Sequence, residues 1–189
     1  MRGEREEGIL RQTDTNSCLP CSLLFVVGKI TEQRFSKVDE KQLHLDSFGR
    51  CRESFALSYL WAFKERFPDL GITLTVDNEP YRKCLEELNS GKIQIDAKPI
   101  TMELIKDKAS GGPLVIFVDR YFFDYEIHIP HYVVVENQEN GDFLVSDPWR
   151  GELLSKTPLQ LQEAIFGAKY ILWWAPMIIE IDQQSIPVK

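Results

Sequence analysis

A cysteine stands directly before a strongly apolar segment, where its thiol is well placed to act as a nucleophile. Residues 19–30, which follow Cys18, are apolar on nearly every side and predict a helix buried at the centre of a domain. The unpaired N–H groups and the dipole at a helix N-terminus favour the thiolate, the reactive form of cysteine. Pro20 fits such a first turn, where its missing N–H has no intrahelical use. Cys18 is therefore the candidate nucleophile, with Cys21 beside it as a core residue or a resolving thiol.

His131 and Asp147 provide a candidate base and a carboxylate that would orient it. His131 begins one predicted strand and Asp147 closes the next. The connection between them contains Asn140-Gly141, the strongest short signal of a β-hairpin. In a hairpin the start of the first strand and the end of the second lie at the same end of the sheet. The topology therefore brings the imidazole and the carboxylate together.

The register of this hairpin decides whether the two side chains share a face of the sheet. A two-residue turn sets Asp147 opposite Val134, whereas a longer turn sets it opposite His131 itself. Only the second register places the imidazole and the carboxylate on one face, because successive side chains of a strand point to opposite faces. The sequence allows both registers.

The other histidines and one aromatic stretch are weaker candidates for the site. His128 lies just before His131, but Pro130 marks it as part of a loop, so we prefer His131. His44 lies in a polar connection, where a solvated side chain is expected. The acidic and aromatic stretch 119–126 precedes these histidines and is either the lip of a cleft or a loop packed on the core.

Caps, turn residues and periodicity predict the remaining elements. A helix with aromatic residues at four-residue spacing is predicted at 51–67, and further helices follow the candidate N-caps Asn78, Thr101 and Thr157. Their expected ends are Gly91, Gly111-Gly112 and the vicinity of Gly167. Strands are predicted at 72–76, 92–95, 114–118 and within 170–181.

The order of these elements predicts the fold class. Helices come first and strands cluster late, which is typical of an α+β domain with N-terminal helices packed on a largely antiparallel C-terminal sheet. The apolar segment after Cys18 is its central buried helix. In the helix that follows Asn78, Cys84 is expected on the apolar face as a small core residue.

Composition limits the class of protein and its partners. The 189 residues, 43% of them hydrophobic, predict one domain spanning 1–189, with 1–8 as a poorly ordered segment. A net charge of −7 argues against a nucleic-acid partner. Neither a signal peptide nor an apolar run of about 20 residues is evident, so we expect a cytoplasmic protein without a membrane partner. Four cysteines are too few for a disulfide framework, and folding calls for no metal or cofactor.

In their order along the chain, these motifs resemble the papain-like cysteine peptidases of the bacteriocin-leader-processing kind, the double-glycine leader peptidases, and their stand-alone relatives. Gln12 lies six residues before Cys18, similar to the glutamine-to-cysteine spacing of that family. The strand that begins at His131 and the dipeptide Asp147-Pro148 resemble its histidine strand and its Asp-Pro. The segment 110–116 resembles its Gly-Pro strand entry and 154–167 its last helix, so the similarity covers about 10–174.

The resemblance implies a papain-like fold and a peptide or protein substrate. It implies that Cys18, His131 and Asp147 form a catalytic triad, and that Gln12 and the backbone N–H of Cys18 hold the oxyanion of the tetrahedral intermediate. An acyl-enzyme would then be hydrolysed by water, or its acyl group transferred to an amine by the same residues. The chain departs from the family at Leu19, where glycine or another small residue is usual, so the pocket beside the nucleophile is expected to differ.

Two other interpretations use the same residues. A Cys2His2 zinc site would join Cys18 and Cys21 to His128 and His131, but the pairs are far apart in sequence, unlike those of a zinc finger. That interpretation also leaves Gln12 and Asp147 without a purpose. A non-catalytic peptide-binding protein on the same fold would carry a silent triad, and the sequence does not separate it from an enzyme.

Overall fold

Helices and strands make up most of the described chain. The computed structural model describes residues 10–89, 91, 93–123 and 125–183, and only the backbone of 137–139. The predicted poorly ordered segment 1–8 lies outside the described residues. The helices are α1 (Cys18–Thr31), α2 (Lys37–Ser47), α3 (Phe55–Arg66), α4 (Glu79–Leu88), α5 (Met102–Gly111) and α6 (Pro158–Tyr170). The strands are β1 (Leu70–Val76), β2 (Gln94–Ala97), β3 (Leu114–Asp119), β4 (Pro130–Glu139), β5 (Asp142–Asp147), β6 (Glu152–Lys156) and β7 (Met177–Gln183).

One mixed sheet joins the described strands in the order β2-β1-β7-β3-β4-β5-β6. All neighbours pair antiparallel except β1 and β2, which are parallel. The strand β7, late in the chain, lies between β1 and β3 and so connects the early strand pair to the hairpin that carries the candidate site. The predicted α+β class with a largely antiparallel sheet is confirmed, although helices and strands are more interleaved than expected.

The core lies on both faces of this sheet, because alternate residues of each strand point to opposite sides. On β4, Tyr132 and Val134 belong to one hydrophobic cluster, together with the buried residues of α1–α4. Val133 and Val135 belong to the other, together with α5 and most of the buried residues of α6. Every residue of α1 from Cys18 to Val27 is buried, which confirms the predicted central helix.

The predicted helix N-caps are confirmed. The side chains of Asn78, Thr101 and Thr157 each accept a hydrogen bond from the backbone N–H three residues later, which satisfies an otherwise unpaired donor. Thr157 also forms the predicted capping box with Gln160. Two predicted ends are imprecise, because α4 stops at Leu88 before Gly91 and α6 continues past Gly167 to Tyr170. No helix of the described residues has the length and apolarity to cross a membrane.

Three predictions about helices were wrong. The helix α3 begins at Phe55 and not at residue 51, because the Ser54 side chain caps it by accepting from the Leu57 N–H. Cys84 is exposed, because the buried face of α4 is centred on Leu85. His44 lies on the unpredicted helix α2 and is half-buried. Its Nδ1 is hydrogen-bonded to the Tyr59 hydroxyl, so it is not a solvated residue of a connection.

Candidate active site

The β4–β5 hairpin has a register that combines parts of both predicted alternatives. Its turn is the two-residue Asn140-Gly141, with positive φ angles of 53° and 94°, and Glu139 pairs with Asp142 beside it. A β-bulge then follows between Val135 and Gln138, where β4 carries one residue more than β5. Beyond the bulge the register is shifted by one residue.

This bulge places the candidate base and carboxylate on one face of the sheet. Beyond it Val134 pairs with Ser146, so Asp147 falls beside Val133 and not beside Val134. Val133 and His131 are two residues apart on β4, and their side chains point to the same face. The two-residue turn alone would have set Asp147 on the opposite face, because a one-residue slip reverses every side chain.

The Asp147 carboxylate is fully buried and accepts hydrogen bonds on both oxygens. Oδ1 accepts from His131 Nε2 at 2.7 Å and from the Trp149 backbone N–H at 2.8 Å. Oδ2 accepts from the Tyr125 hydroxyl at 2.5 Å. Burial alone would raise the pKa of Asp147, but its hydrogen bonds and the charge of His131 lower it below its ordinary value. Asp147 is therefore a carboxylate that holds the His131 ring in place.

His131 lies between this carboxylate and the Cys18 thiol at the start of α1. Because Nε2 is bonded to Asp147, Nδ1 is the ring nitrogen left to face Cys18. Burial lowers the pKa of His131, but hydrogen bonds with Asp147 and Cys18 and their charges outweigh it and raise the pKa to about 9. The arrangement favours a protonated imidazole beside the Cys18 side chain.

A backbone hydrogen bond attaches the segment around Gln12 to the turn that follows Asp147. The Gln12 backbone N–H donates to the Pro148 carbonyl at 2.8 Å, directly after Asp147. Its side-chain Nε2 donates one hydrogen bond to the Asp14 carbonyl at 2.5 Å, which leaves a second N–H. Its Oε1 is buried and has no hydrogen-bond partner among the described residues. Gln12 thus lies beside the turn that follows Asp147.

Glu40 is a buried residue beside Gln12 and Thr13 that was not predicted from the sequence. Its Oε1 accepts from the backbone N–H of Thr13 at 2.8 Å and from the Thr13 hydroxyl at 3.2 Å. Its side chain thereby fixes the backbone and the hydroxyl of Thr13, the residue after Gln12. Glu40 lies on α2, a helix that buries little apolar surface, so no hydrophobic pattern in the sequence pointed to it.

Cys21 lies one turn along α1 from Cys18 and is a second buried thiol. Its Sγ donates to the Leu10 carbonyl at 2.7 Å, which fastens the start of the described chain to α1. Burial, with the nearby charges of Glu40, Cys18 and Asp147, raises the pKa of Cys21 well above its ordinary value. Cys21 therefore remains a thiol, and of its two expected roles that of a core residue fits better than that of a resolving thiol.

His128 forms a separate imidazole–carboxylate pair. Its Nδ1 lies 2.6 Å from Oδ2 of Asp119, and its ring stacks on Tyr121 with centroids 4.2 Å apart. His128 and His131 are thus engaged with different carboxylates. No group of three or more His, Cys, Asp or Glu side chains among the described residues is arranged to hold a metal ion, so the geometry does not favour the zinc interpretation.

Aromatic and cationic side chains stack on one another next to Asp147, on the side of Tyr125. The Arg120 guanidinium lies 4.0 Å from the ring centroid of Trp149 and 4.5 Å from that of Tyr125, and the Arg150 guanidinium lies 4.5 Å from the same Tyr125 ring. The stretch 119–126 therefore packs on the site through Arg120 and Tyr125, while Tyr121 is exposed. Apart from Asp124, which lies outside the described residues, the stretch fits the expectation of a loop packed on its neighbours, with Phe123 buried.

Solved structures with a similar fold include three peptidases. The peptidase domain of Streptococcus ComA, a bi-functional ABC transporter involved in a quorum-sensing pathway, has a TM-score of 0.53 at 16% identity, covering 93% of this chain and 97% of that one. A double-glycine-motif protease from an AMS/PCAT transporter, in complex with the leader peptide, has a TM-score of 0.55 at 18% identity, covering 97% and 96%. A C39-like peptidase from Bacillus anthracis has a TM-score of 0.53 at 11% identity, covering 90% and 92%.

These likenesses establish the fold. The structural neighbours are peptidase domains, two of them from transporters, and the expected papain-like fold is confirmed over nearly the whole chain. No family profile and no curated protein matches the sequence. The chemistry of this chain therefore has to be argued from its own residues.

Proposed function

We propose that this chain is a cysteine peptidase-like hydrolase that cleaves a peptide or a related amide bond. The observation that carries the proposal is the His131 imidazole, which is held by the Asp147 carboxylate at 2.7 Å and borders the Cys18 thiol. An activated cysteine nucleophile needs such a base, oriented in turn by a third group. The fold of known peptidase domains supports this assignment.

In this mechanism the Cys18 thiolate attacks the carbonyl carbon of the scissile bond. The negative charge that develops on the carbonyl oxygen is stabilised by the Cys18 backbone N–H and the second side-chain N–H of Gln12. The protonated His131 then gives its proton to the leaving amine, and an acyl-enzyme remains on Cys18. Water, activated by the neutral His131, hydrolyses the acyl-enzyme, and an amine in place of water would accept the acyl group.

Asp147 and Glu40 act through other residues in this mechanism. Asp147 holds the ring of His131 so that Nδ1 faces the thiol, and its charge stabilises the imidazolium. Glu40 fixes Thr13 and thereby the position of Gln12. Both are positioning residues, because neither touches the reacting atoms.

Limited alkylation with iodoacetamide tests the proposal, and Cys84 serves as an internal control. Cys84 is exposed, whereas Cys18 is only 6% exposed, so simple accessibility favours Cys84. The proposal predicts the opposite order at neutral pH, with Cys18 modified first in mass spectra of the digested protein. The His131→Ala substitution is expected to slow modification of Cys18 and to leave Cys84 unchanged.

Three other outcomes would contradict the proposal. Modification of Cys84 with an inert Cys18 would show that Cys18 is a thiol of the core. Stoichiometric zinc that protects Cys18 and Cys21 would support the metal site. A reactive Cys18 in a protein that cleaves no member of a peptide library would favour the peptide-binding protein on the same fold.

A further inference from the structure

Among the described residues, no carboxylate forms an ion pair with the buried guanidinium of Arg120. Arg120 is 5% exposed, and its Nε has no hydrogen-bond partner among the described residues. The contacts that the structure gives its guanidinium are the faces of two aromatic rings, Trp149 and Tyr125. Aromatic faces attract a cation but offer no acceptor for its in-plane N–H donors.

The buried carboxylates of Asp119 and Asp147 are engaged by other donors. Asp119 accepts from His128 on Oδ2 and from the Tyr121 N–H on Oδ1. Asp147 accepts from the three donors of the candidate active site. Among the described residues, neither forms an ion pair with Arg120. A buried charge is ordinarily paired, so the donors of Arg120 are suited to an anion from outside the chain.

A second cation borders the same place. Arg150 lies over the Tyr125 ring at 4.5 Å, with its side chain 45% exposed and a 4.0 Å contact to Glu152. Both arginines thus flank Tyr125, whose hydroxyl is bonded to Asp147. The cluster of Arg120, Arg150, Tyr125 and Trp149 therefore lies immediately beyond the carboxylate that holds His131.

This position corresponds to the leaving-group side of the proposed reaction. His131 gives its proton to the leaving amine, so the part of the peptide that departs lies over His131 and Asp147. The turn that carries Trp149 also borders Gln12, through the hydrogen bond from the Gln12 N–H to Pro148. A group one or more residues beyond the scissile bond is thereby directed towards the arginines.

We propose that Arg120, assisted by Arg150, binds a carboxylate on the leaving portion of the peptide, either its free C-terminus or an acidic side chain. This inference rests on the proposed function. The planar fork of a guanidinium pairs with a carboxylate through two parallel hydrogen bonds, which a lysine cannot do. The rings of Trp149 and Tyr125 hold that fork in a fixed plane, so little side-chain freedom is lost on binding.

Peptide binding to the Cys18→Ala protein tests the inference without turnover. The indole N–H signal of Trp149, assigned with a Trp149→Phe variant, is followed by NMR during titration. The probes are N-acetyl-trialanine with a free C-terminus, the same peptide amidated, and amidated N-acetyl-Ala-Glu-Ala. We expect the free acid, the glutamyl peptide or both to bind at least about tenfold more tightly than amidated trialanine, because hydrogen bonds to a charged group are strong. Their comparison identifies the source of the carboxylate.

Substitutions assign the effect to the arginines. Arg120→Gln is expected to abolish the preference for a carboxylate, Arg120→Lys to keep only part of it, and Arg150→Gln to weaken it. Arg82→Gln is the matched control, because Arg82 is paired with Glu79 and Glu86 on α4, and it should keep the preference. Arg150 is half-exposed, so its variant remains informative if Arg120→Gln fails to fold.

Failure of this inference is distinguishable from failure of the proposed function. Equal binding of acid and amide, absence of any shift at Trp149, or an unchanged preference in both Arg120→Gln and Arg150→Gln would overturn the carboxylate site. None of these results affects the alkylation of Cys18. Conversely, a carboxylate preference in a protein whose Cys18 is inert would leave a peptide-binding site on a silent triad.

Discussion

At the scale of single residues, Asp147 connects more of the site than any other side chain described. It joins the base to the Tyr125 hydroxyl and to the backbone of the turn at Trp149. A carboxylate can accept from all of these donors at once, whereas a carboxamide has a single acceptor oxygen. The identity of Asp147 thus matters both for its charge and for its capacity to accept.

The Asp147→Asn substitution should therefore separate the proposed active site from an ordinary ion pair. We expect the rate of Cys18 alkylation at neutral pH to fall about tenfold or more, because loss of the charge lowers the pKa of His131 by about one unit or more. The free energy of unfolding should fall by about 1–3 kcal/mol, because buried donors lose acceptors. Iodoacetamide kinetics and urea unfolding measure the two effects.

Asp119→Asn is the matched control for that substitution. It breaks the second imidazole–carboxylate pair, with His128, at a carboxylate that is equally buried. We expect it to destabilise the protein while Cys18 keeps its reactivity. Equal loss of reactivity in both variants would mean that Asp147 acts only through general stability.

At the scale of elements, the β4 bulge determines whether the site forms at all. The extra residue of β4 shifts the ladder between Gln138 and Val135, so that Asp147 falls on the face of His131. A regular ladder from the same turn would have directed Asp147 away from His131. The bulge is therefore part of the site, although it contains none of the reacting groups.

Single-residue deletions on the two strands should have opposite consequences. Deletion of Glu136 removes the extra residue of β4 and makes the ladder regular, with Asp147 still beside Val133. Deletion of Leu144 shortens β5 and, with the bulge retained, moves Asp147 beside Val134 on the other face. We expect the first variant to keep fast alkylation of Cys18, with a modest loss of stability because Glu136 pairs with Lys29 and Ser146. The second should lose fast alkylation.

The pair of deletions is its own control, because each removes one residue from the same hairpin. Circular dichroism establishes that both variants fold, and mass spectrometry gives the order of modification of Cys18 and Cys84. Retention of fast alkylation by the Leu144 deletion would show that the register does not position Asp147. Loss of it by the Glu136 deletion would show that the bulge residue itself is needed.

A comparison of the predicted and observed elements shows which helices and strands have a recognisable signal in the sequence. The buried helix α1 and the capped helices were predicted, because each has a strong local signal, an apolar run or a side-chain cap. The helix α2 was missed, because it buries few apolar side chains and is held instead by a capping box between Ser36 and Asp39. The edge strand β6 was missed as well, since its burial does not alternate.

Only those site residues that have a local signal in the sequence were predictable. Spacing and hairpin topology led to Cys18, His131 and Asp147, and the structure brings these side chains together. The bulge was not predictable, because residues 136–138 contain no glycine or other local marker of an extra residue. Glu40 was missed, and the stretch 119–126 was singled out without the roles of Arg120 and Tyr125, because their contacts cross between distant elements and no pattern of neighbouring residues records such contacts.

At the scale of the whole molecule, the site is linked to the stability of the fold through the proton on His131. The pKa of His131 is raised from its ordinary value of 6.5 to about 9 in the folded protein. A group whose pKa is raised by folding contributes stability that is fully present below the unfolded pKa and is lost as the pH rises through the folded pKa. In a Cys18→Ala protein, where no thiol can supply the proton of the imidazole, the free energy of unfolding should therefore decline as the pH rises above 6.5.

Urea unfolding of this variant at a series of pH values measures the decline, which should end near the pKa of His131 in its folded state. The His131→Gln variant has no imidazole at this position, so its stability should vary less over the same pH range. The His128→Gln variant, which removes a nearby histidine outside the proposed triad, should keep the decline. An equal decline in His131→Gln would assign the effect to other groups.

The order of the elements along the chain has a further consequence during its synthesis. Cys18 lies on the first helix described, whereas His131, Asp147 and the bulge lie on β4 and β5. Domains emerge from the ribosome with their N-terminal part first. A nascent chain that has emerged only as far as α5 therefore holds the proposed nucleophile without its proposed base. We expect the reactivity of Cys18 to appear only after the hairpin has joined the sheet, so that the growing polypeptide carries no activated thiol.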